Sequence, residues 1–350
     1  MRSSVCGIAV KGFHPPSQGG SRVPACLSVS RCLDVTERIG GCSPVAPMSK
    51  AHSSMQISFI IPIYNGSATL RRAVDSVFAS GSDCLEVVIV DDGSVDETAD
   101  ICAQLEQAYP GKVVSVYQEN QGAAASRNHG LQIAQGEWLW FLDCDDEVTP
   151  TGIAHFREYI AQRNELDVVI GGYEVRWPHE NHRQGPGRLY DDKAQRVIDF
   201  LFKKKLRPTH GSIVVHRRLI DRLCYTEKMR QWEDIPVFVR LLLSDRVGLT
   251  EHCLSILHRS ETSLRHNATH TAGTIETLVD EVFKIANLPD EVIPQRARYT
   301  ASRYFSASRI ILRAGRKKEA RQCFWRGVQA YPLRLLSGRS LRFLLRAYLP

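Results

Sequence analysis

The sequence lacks the features of a membrane-spanning or exported chain. No stretch approaches the run of about 18 apolar residues that a membrane span needs, and the early run Val5–Val10 stops at Lys11, too short for a convincing signal peptide. Of the ten cysteines, four lie in the first 50 residues and six are scattered singly, with no CxxC pair and no zinc spacing. We therefore expect neither disulfides nor structural zinc, and predict a reduced, cytoplasmic compartment.

Two common phosphate-binding fingerprints are also missing. No Gly-x-Gly-x-x-Gly follows the first apolar run, and Gly-x-x-x-x-Gly-Lys-Ser/Thr occurs nowhere in the chain. A dinucleotide-binding fingerprint and a Walker loop are therefore excluded as the basis of a nucleotide site.

The composition is that of a globular chain with one basic end. Hydrophobic residues make up 43% and charged residues 24% of the 350 residues, which is ordinary for a folded protein. Residues 296–350 contain 14 Lys and Arg against one acid, Glu319, a net charge of +13, so residues 1–295 carry −6 of the total of +7. The basic character therefore belongs to the C-terminal part of the chain.

Three regions are predicted along the chain. Residues 1–54 are rich in Ser, Gly and Pro and show no helix or strand period, so we expect them to be disordered or to be untranslated, with Met48 favoured over Met55 as the start. Residues 55–265 are predicted to form one α/β domain. Residues 266–350 are predicted to form a basic helical region.

Short apolar runs alternate with helical patterns through the α/β domain. This alternation predicts right-handed βαβ units and a mostly parallel sheet flanked by helices. The first four predicted strands are Ile57–Ile63, Leu85–Val90, Lys112–Tyr117 and Trp138–Leu142, and later ones are Asp167–Val175, Ser212–Val215 and Val247–His258. Gly171 and Gly172 predict a bulge or a close backbone approach, and residues 192–206 a basic helix.

Three acids follow the fourth predicted strand directly. Asp143, Asp145 and Asp146 would lie at the carboxyl end of a buried strand, where open α/β sheets bind ligands. Carboxylates this close raise one another's pKa unless a cation lies between them, and oxygen donors suit Mg²⁺ or Mn²⁺. The alternative is a polar loop in which Asp146 or Thr149 caps the next helix.

Polar turns also follow the first two strands, at Tyr64–Asn65 and Asp91–Asp92. In a parallel sheet these turns and the acids would share one crevice. Ser94 and Glu97 have the spacing of a capping box for the next helix. Ordinary uses remain open for individual residues: Asn65 as a cap, Asp92 as a turn former, Arg127 on a surface, Glu233–Asp234 as first-turn acids, Cys144 as a small buried filler, and His210 and His216 as polar residues near the acceptor side.

Four blocks in this order resemble the family 2 glycosyltransferases, nucleotide-sugar-dependent enzymes with the GT-A fold. They are ISFIIPIYNGSATLRRAVDSV, VVIVDDGSVDETADI, NQGAAASRNHGLQIAQGEWLWFLDCDDEVTP and QWEDIPVFVRLL, and they cover about residues 56–262. Four ordered blocks are far more specific than one. The resemblance implies a GT-A fold and an inverting glycosyl transfer.

The resemblance also implies roles for individual residues. It implies that Asp234 is the catalytic base, with Glu233 beside it, and that a divalent ion, Mn²⁺ or Mg²⁺, is a cofactor. The residues implied to hold that metal are Asp143, Asp145, Asp146 and, as the nearest candidate for a late metal-binding histidine, His258. The residues implied to bind the nucleotide sugar are Pro62, Tyr64, Asn65, Asp91, Asp92, Gly122, Arg127, Asp143 and Asp145.

We therefore predict transfer of one sugar from a nucleoside-diphosphate sugar, with UDP-sugar preferred, to a saccharide, a lipid-linked acceptor or a surface polymer of the cell envelope. The Gln-x-x-Arg-Trp block of processive relatives is absent, which favours single addition. One alternative is a sugar-nucleotide nucleotidyltransferase, which should carry a Gly-rich basic loop where this chain has PIYNGSATL. The other is a non-catalytic nucleotide- or metal-binding module whose basic tail recruits partners.

The last predicted helix is amphipathic and basic. Leu341, Leu344, Leu345 and Tyr348 recur at helical spacing, with arginines at positions 339, 342 and 346. This helix could pack on the domain or on a second copy in a homodimer, or lie peripherally on an anionic inner membrane surface. No nucleic-acid recognition motif accompanies the charge, so no nucleic-acid partner is expected.

Overall fold

The computed structural model describes residues 56–81, 84–163, 165–259, 271–336 and 338–348. The predictions made for residues 1–54 lie outside these ranges, as does the predicted domain boundary at 265/266. The strands are β1 (Ile57–Ile63), β2 (Cys84–Asp91), β3 (Val113–Tyr117), β4 (Trp138–Phe141), β5 (Glu147–Val148), β6 (Val168–Arg176), β7 (Asn181–Gln184), β8 (Ile213–His216) and β9 (Val247–His258).

The helices alternate with the strands in the first half and follow one another at the end. They are α1 (Ser67–Ser80), α2 (Thr98–Ala108), α3 (Ala123–Ile133), α4 (Gly152–Ala161), α5 (Lys193–Ile198), α6 (Asp234–Leu242), α7 (Ile275–Phe283), α8 (Arg296–Arg313), α9 (Lys317–Ala330) and α10 (Gly338–Tyr348). Among the described helices, none has the length and apolar content that crossing a membrane requires.

All described strands join one sheet, in the order β3-β2-β1-β4-β8-β6-β9-β5, with β7 paired to β6. The predicted parallel arrangement holds for β3, β2, β1 and β4. Beyond β4 the sheet is mixed, because β8 runs antiparallel to both β4 and β6, whereas β6 and β9 are parallel. The α/β prediction is confirmed, and the second half supplies the antiparallel strands.

The sheet lies between two layers of helices. Alternate residues of β1 face opposite sides, so Phe59 and Ile61 join one buried cluster with α1, α2 and α4. Ile60 joins another cluster with α3 and α6 on the opposite face. Because every residue of β1 is buried, this strand is an apolar run without alternation.

Two local predictions meet different outcomes. The predicted bulge at Gly171–Gly172 is confirmed, since the register between β6 and β9 shifts on both sides of Gly172. The single helix predicted over residues 192–206 is interrupted: α5 ends at Ile198 and a π-helical turn follows over Asp199–Lys203. The carboxylate of Asp199 is buried there, and Lys203 Nζ lies 3.3 Å from it.

The C-terminal helices pack on the α/β domain. A third buried cluster joins α7–α10 to α5 and α6, with Val239 of α6 and Tyr299 of α8 among its members. The described residues from 56 to 348 belong to one compact unit.

Candidate functional site

The turns after β1 and β2 are tied together by hydrogen bonds. Asn65 donates from its backbone N–H to Ser94 Oγ (2.9 Å), and its side-chain Oδ1 accepts from the N–H of Val95 (2.8 Å). Asn65 has φ +50°, a left-handed conformation that asparagine tolerates better than most residues. Asn65 is therefore a bridge between the two turns, and Tyr64 beside it is half exposed.

The predicted capping box at Ser94 and Glu97 is wrong. The hydroxyl of Ser94 accepts from Asn65, a partner in another turn, and α2 begins only at Thr98. The N-cap position is Glu97, without a side-chain cap, and Asp96 Oδ1 accepts from the N–H of Thr98, the first residue of α2, at 3.2 Å. The hydroxyl of Ser94 is therefore used in a hydrogen bond to the turn after β1, and not in the capping box that its spacing from Glu97 predicted.

Asp92 organises the loop before α3. Its carboxylate is buried and accepts hydrogen bonds from the backbone N–H of Gln121 (2.9 Å) and of Gly122 (2.7 Å), and from Gln118 Nε2 (2.8 Å). Gly122 has φ +93°, which a residue with a side chain rarely adopts. Asp91 is also buried, and its Oδ1 accepts from the N–H of Ser94 at 2.9 Å. Both acids therefore hold backbone in place.

Arg127 is buried and connects two parts of the crevice. On α3, it donates from Nη2 to Asp143 Oδ1 and from Nη1 to Glu233 Oε1, at 2.8 Å in each case. Burial alone would lower its pKa, but the carboxylates of Asp143 and Glu233 hold the pKa well above its usual range. Arg127 is thus not an ordinary surface arginine. It brings Asp143, after β4, together with Glu233, before α6.

The three acids after β4 have different surroundings. Burial raises the pKa of Asp143, but the neighbouring charge of Arg127 outweighs it and lowers that pKa. For Asp145, burial and then the charge of Asp143 raise the pKa, and the same two causes raise that of Asp146 further. Arg127 thus compensates Asp143, whereas Arg259 only partly offsets the causes that raise the pKa of Asp145 and of Asp146.

Neither residue weighed as a helix cap performs that role here. Asp146 Oδ1 accepts from the N–H of His258 (2.9 Å), and the hydroxyl of Thr149 donates to the carbonyl of Cys253 (2.7 Å). Helix α4 starts at Gly152 without a side-chain cap. Asp146 therefore connects the loop after β4 to the end of β9.

His258 lies beside the acids but is engaged by another one. Its Nε2 is 2.5 Å from Glu147 Oε1, and Arg72 Nε is 3.4 Å from the same carboxylate. Across the ranges the structure describes, no group of three or more His, Cys, Asp or Glu side chains is arranged to hold a metal ion. The four predicted ligands are neighbours, but they do not form a ready-made cage.

Glu233 and Asp234 stand at the start of α6. Asp234 is the first residue of the helix, and Trp232 before it has φ +62°, an uncommon conformation for a large side chain. The negative charge of Asp234 contributes to the raised pKa values of Tyr225 and Tyr299, two buried phenols, although burial is the main cause for both. Asp234 therefore borders both the crevice and the first of the long C-terminal helices, α8.

His210 belongs to the crevice, although no sequence block contained it. Its Nε2 lies 3.1 Å from Tyr225 Oη and its Nδ1 lies 3.9 Å from Asp143 Oδ1. Burial, aided by the charge of Arg127, lowers its pKa to about 3, so the ring is neutral near pH 7. His216 is elsewhere: it contacts Glu137 just before β4, at the opposite end of that strand.

Two further residues at the crevice were not singled out from the sequence, although Arg72 lies within the first family block. Arg72 on α1 donates from Nη2 to the carbonyl of Asp145 at 2.6 Å. The guanidinium of Arg230 lies against Gly122, with Nη1 3.5 Å from Asn120 Oδ1. Neither residue stands at a diagnostic spacing from the acids. Cys144 is only partly buried, packed against the cluster of β1 and α1, and burial and the charge of Asp145 raise its thiol pKa to about 12.

These features define an α/β domain with an acid-lined crevice at the carboxyl ends of its parallel strands. Residues 58–224 match the family model described as Glycosyl transferase family 2. An uncharacterized glycosyltransferase of Nostoc sp. is 32% identical over 188 residues, 51% of this chain and 57% of the relative. The minor teichoic acid biosynthesis protein GgaA of Bacillus subtilis is 27% identical over 198 residues, 54% of this chain and 44% of that protein. Over residues 58–224 the chain is therefore similar to glycosyl transferase family 2.

Solved structures support the same fold. The TarS 1-349 structure of S. aureus in complex with UDP-GlcNAc aligns with a TM-score of 0.57 at 15% identity, covering 83% of this chain and 92% of that one. The mannosyltransferase PcManGT of Pyrobaculum calidifontis, in complex with GDP-Man and Mn²⁺, aligns with a TM-score of 0.50 at 14% identity, covering 83% and 84%. The predicted GT-A-like fold is confirmed. The chain spans about half the length of the curated relatives it matches.

Proposed function

We propose that this protein transfers a single sugar, with inversion, from a nucleoside-diphosphate sugar to an acceptor hydroxyl. The observation that carries the proposal is the pair of 2.8 Å bonds by which Arg127 joins Asp143 to Glu233, the neighbour of Asp234. One guanidinium thereby connects the acid cluster suited to the donor diphosphate with the acid suited to be the base.

The donor side is proposed to lie over the acid cluster. Burial and the charges of neighbouring acids raise the pKa values of Asp145 and Asp146, and a divalent cation with oxygen ligands would relieve that repulsion. We propose Mn²⁺ or Mg²⁺, held by one or two of these carboxylates and completed by the donor phosphates, which agrees with the lack of a ready-made cage in the described residues. When bound, the ion would neutralise charge on the leaving diphosphate.

The acceptor side is proposed to lie at the start of α6. As the acceptor oxygen attacks the anomeric carbon, its proton passes to the Asp234 carboxylate. The bond between that carbon and the diphosphate oxygen breaks, and the nucleoside diphosphate leaves with the electron pair. Attack by one acceptor opposite one leaving group inverts the anomeric centre. Glu233 fixes Arg127 and is a positioning residue.

The nucleotide is proposed to contact the turns after β1 and β2, formed by Pro62, Tyr64, Asn65, Asp91 and Asp92, near Gly122. Half-exposed Tyr64 offers an aromatic ring for base stacking, whereas Asp92 already accepts three protein hydrogen bonds. Asp92 would then act by holding the loop at Gly122. UDP is the preferred nucleotide, supported by the UDP-GlcNAc complex named for TarS.

The acceptor is proposed to be a saccharide or surface polymer of the cell envelope. Support comes from GgaA, whose description names minor teichoic acid biosynthesis. The domain division is also a proposal: a catalytic domain over 55–265 and a helical region after it, which share the buried cluster of α5 to α10.

Calorimetric titration of the full chain with UDP, GDP and dTDP, each with and without Mn²⁺, tests the donor side. We expect one nucleotide to bind, and binding to require the ion. Asp145→Asn should weaken nucleotide binding in the presence of Mn²⁺ at least about tenfold, a loss of about 1.4 kcal/mol. Asp100→Asn, on the exposed side of α2, should leave nucleotide binding unchanged. Absence of ion-dependent binding of any of the three would contradict the proposal.

A further inference from the structure

The last helix, α10, has one apolar face that is already covered. Phe343 and Ala347 are buried, and the ring of Phe343 stacks on Phe324 of α9 with centroids 4.6 Å apart. Arg321 of α9 also donates to the carbonyl of Ala347 at 2.8 Å. The helix is therefore anchored on α9, and this face needs no further partner.

A second apolar face of the same helix is open. Leu341, Leu345 and Tyr348 are 60%, 49% and 49% exposed, at the i, i+4, i+7 spacing that puts them on one side. Trp325 of α9, 42% exposed, extends this side, since its Nε1 donates to Tyr348 Oη at 3.0 Å. We call Trp325, Leu341, Leu345 and Tyr348 the apolar patch. Trp325, Leu345 and Tyr348 of this patch, together with Leu344, line a hollow of about 410 Å³.

The part of the chain that carries the patch is almost uniformly basic. Arg342 and Arg346 are exposed on the next sector of α10, and residues 296–350 carry 14 basic residues against Glu319 alone. A second copy seated on this patch by two-fold symmetry would bring two such regions together, and their like charges would repel. An anionic surface that also accepts apolar side chains has the complementary character.

We propose that the apolar patch and the flanking arginines bind the surface of an anionic lipid bilayer. Exposed Trp, Tyr and Leu side chains would enter the headgroup boundary, while Arg342 and Arg346 would contact lipid phosphates. Apolar insertion or a few charges alone gives weak, reversible binding, and the two together give a stable association. The surface consists of residues of α9 and α10 that the proposed sugar transfer does not use.

Co-sedimentation of the full chain with vesicles tests this proposal independently of activity. Vesicles of phosphatidylcholine with phosphatidylglycerol should bind the protein, and vesicles of phosphatidylcholine alone should not. Leu341→Gln/Leu345→Gln should weaken binding about tenfold or more, since each leucine contributes apolar burial. Arg342→Gln/Arg346→Gln should weaken it and reduce its dependence on salt. Ile293→Gln, at an apolar residue outside the patch that is 49% exposed, is the matched control.

Thermal unfolding checks that each variant folds, which is expected because all the substituted side chains are exposed. Equal binding to neutral and anionic vesicles, or no binding to either, would overturn the proposal. Light scattering of the same variants tests whether a second copy of the chain occupies the patch. If the parent chain is a dimer that Leu341→Gln/Leu345→Gln dissociates, and it does not bind vesicles, the patch is a dimer interface and the membrane proposal is overturned.

Discussion

Arg127 bonds Asp143 through one terminal nitrogen and Glu233 through the other, each at 2.8 Å, and its side chain is buried. The guanidinium is planar and always charged, so it can satisfy two carboxylates in a fixed geometry. A lysine has a single nitrogen and cannot hold both acids in this way. The spacing between the two sides of the crevice thus depends on this arginine.

Arg127→Lys should reduce kcat by about a hundredfold, because the positive charge stays while the two-sided contact is lost. The unfolding temperature should also fall, since a carboxylate is left without its bond. Steady-state kinetics and thermal unfolding are the measurements. Arg163→Lys, which alters an exposed arginine just beyond the end of α4, is the control and should leave both unchanged. Unaltered kcat in Arg127→Lys would show that the link is dispensable.

The adjacent acids Glu233 and Asp234 should respond differently. Asp234→Asn should lower kcat by about 10³-fold with nucleotide affinity retained, as removal of a general base does. Glu233→Gln should lower both kcat and affinity, because it loosens Arg127, which also holds Asp143. Turnover and calorimetric titration on the same preparations make the comparison. If Asp234→Asn kept full turnover, the base would have to be another group, and a non-catalytic binding module would gain support.

Asp92→Asn should destabilise the fold by about 1–3 kcal/mol, the cost of leaving buried hydrogen-bond donors unsatisfied. Its carboxylate accepts from the N–H of Gln121 and of Gly122, and an amide nitrogen can accept from neither. Denaturant unfolding gives the free-energy difference. The exposed Asp191→Asn provides the baseline and should stay within about 0.5 kcal/mol of the parent chain. An equally small change at Asp92 would mean that the loop before α3 does not depend on it.

Asp167 should make stability depend on pH in the acid range. Burial raises the pKa of its carboxyl, but hydrogen bonds from Arg218, Arg246 and Ser244 outweigh burial and lower it below the ordinary 3.8. The folded state therefore binds the proton less readily than the unfolded state. The stabilisation is present above pH 3.8 and is lost as the pH falls below that value toward the folded pKa.

Asp167→Asn should accordingly reduce the unfolding free energy at neutral pH by about 2–3 kcal/mol, and the gap to the parent chain should narrow below pH 3.8. Urea unfolding at a series of pH values gives both numbers. Asp245→Asn, which breaks the pair with Lys193 at a carboxylate 84% exposed, should cost little at any pH. If the difference in unfolding free energy between Asp167→Asn and the parent chain stayed constant down to about pH 2, the lowered pKa of Asp167 would not be its cause.

The sequence predicted the first half of the fold because that half repeats one unit. Four apolar runs, each followed by a helical pattern, placed β1 to β4 to within two residues at each end. The position of β8 between β4 and β6 could not be predicted in this way, because an apolar run does not show in which direction a strand runs or which strands it pairs with. Helix boundaries failed where a distant partner intervened, as Asn65 does at Ser94.

The candidate site divides in the same way. Asp143, Arg127 and Glu233 stood in sequence blocks, and the structure brings them into contact. His210 and Tyr225 come from segments between the blocks, and only the fold places them beside Asp143 and Arg127. The engagement of His258 by Glu147 likewise depends on the pairing of β5 with β9, which no local pattern encodes.

The decisive measurement is a crystal structure of the full chain with UDP and Mn²⁺ that uses the anomalous signal of the metal. We predict one manganese peak within about 2.5 Å of an Asp145 or Asp146 oxygen, bridged to the diphosphate. The uracil should lie against the turn at Tyr64, with the Asp234 carboxylate on the open side of the phosphates. A diphosphate bound away from these acids, or an ion held by other residues, would contradict this prediction.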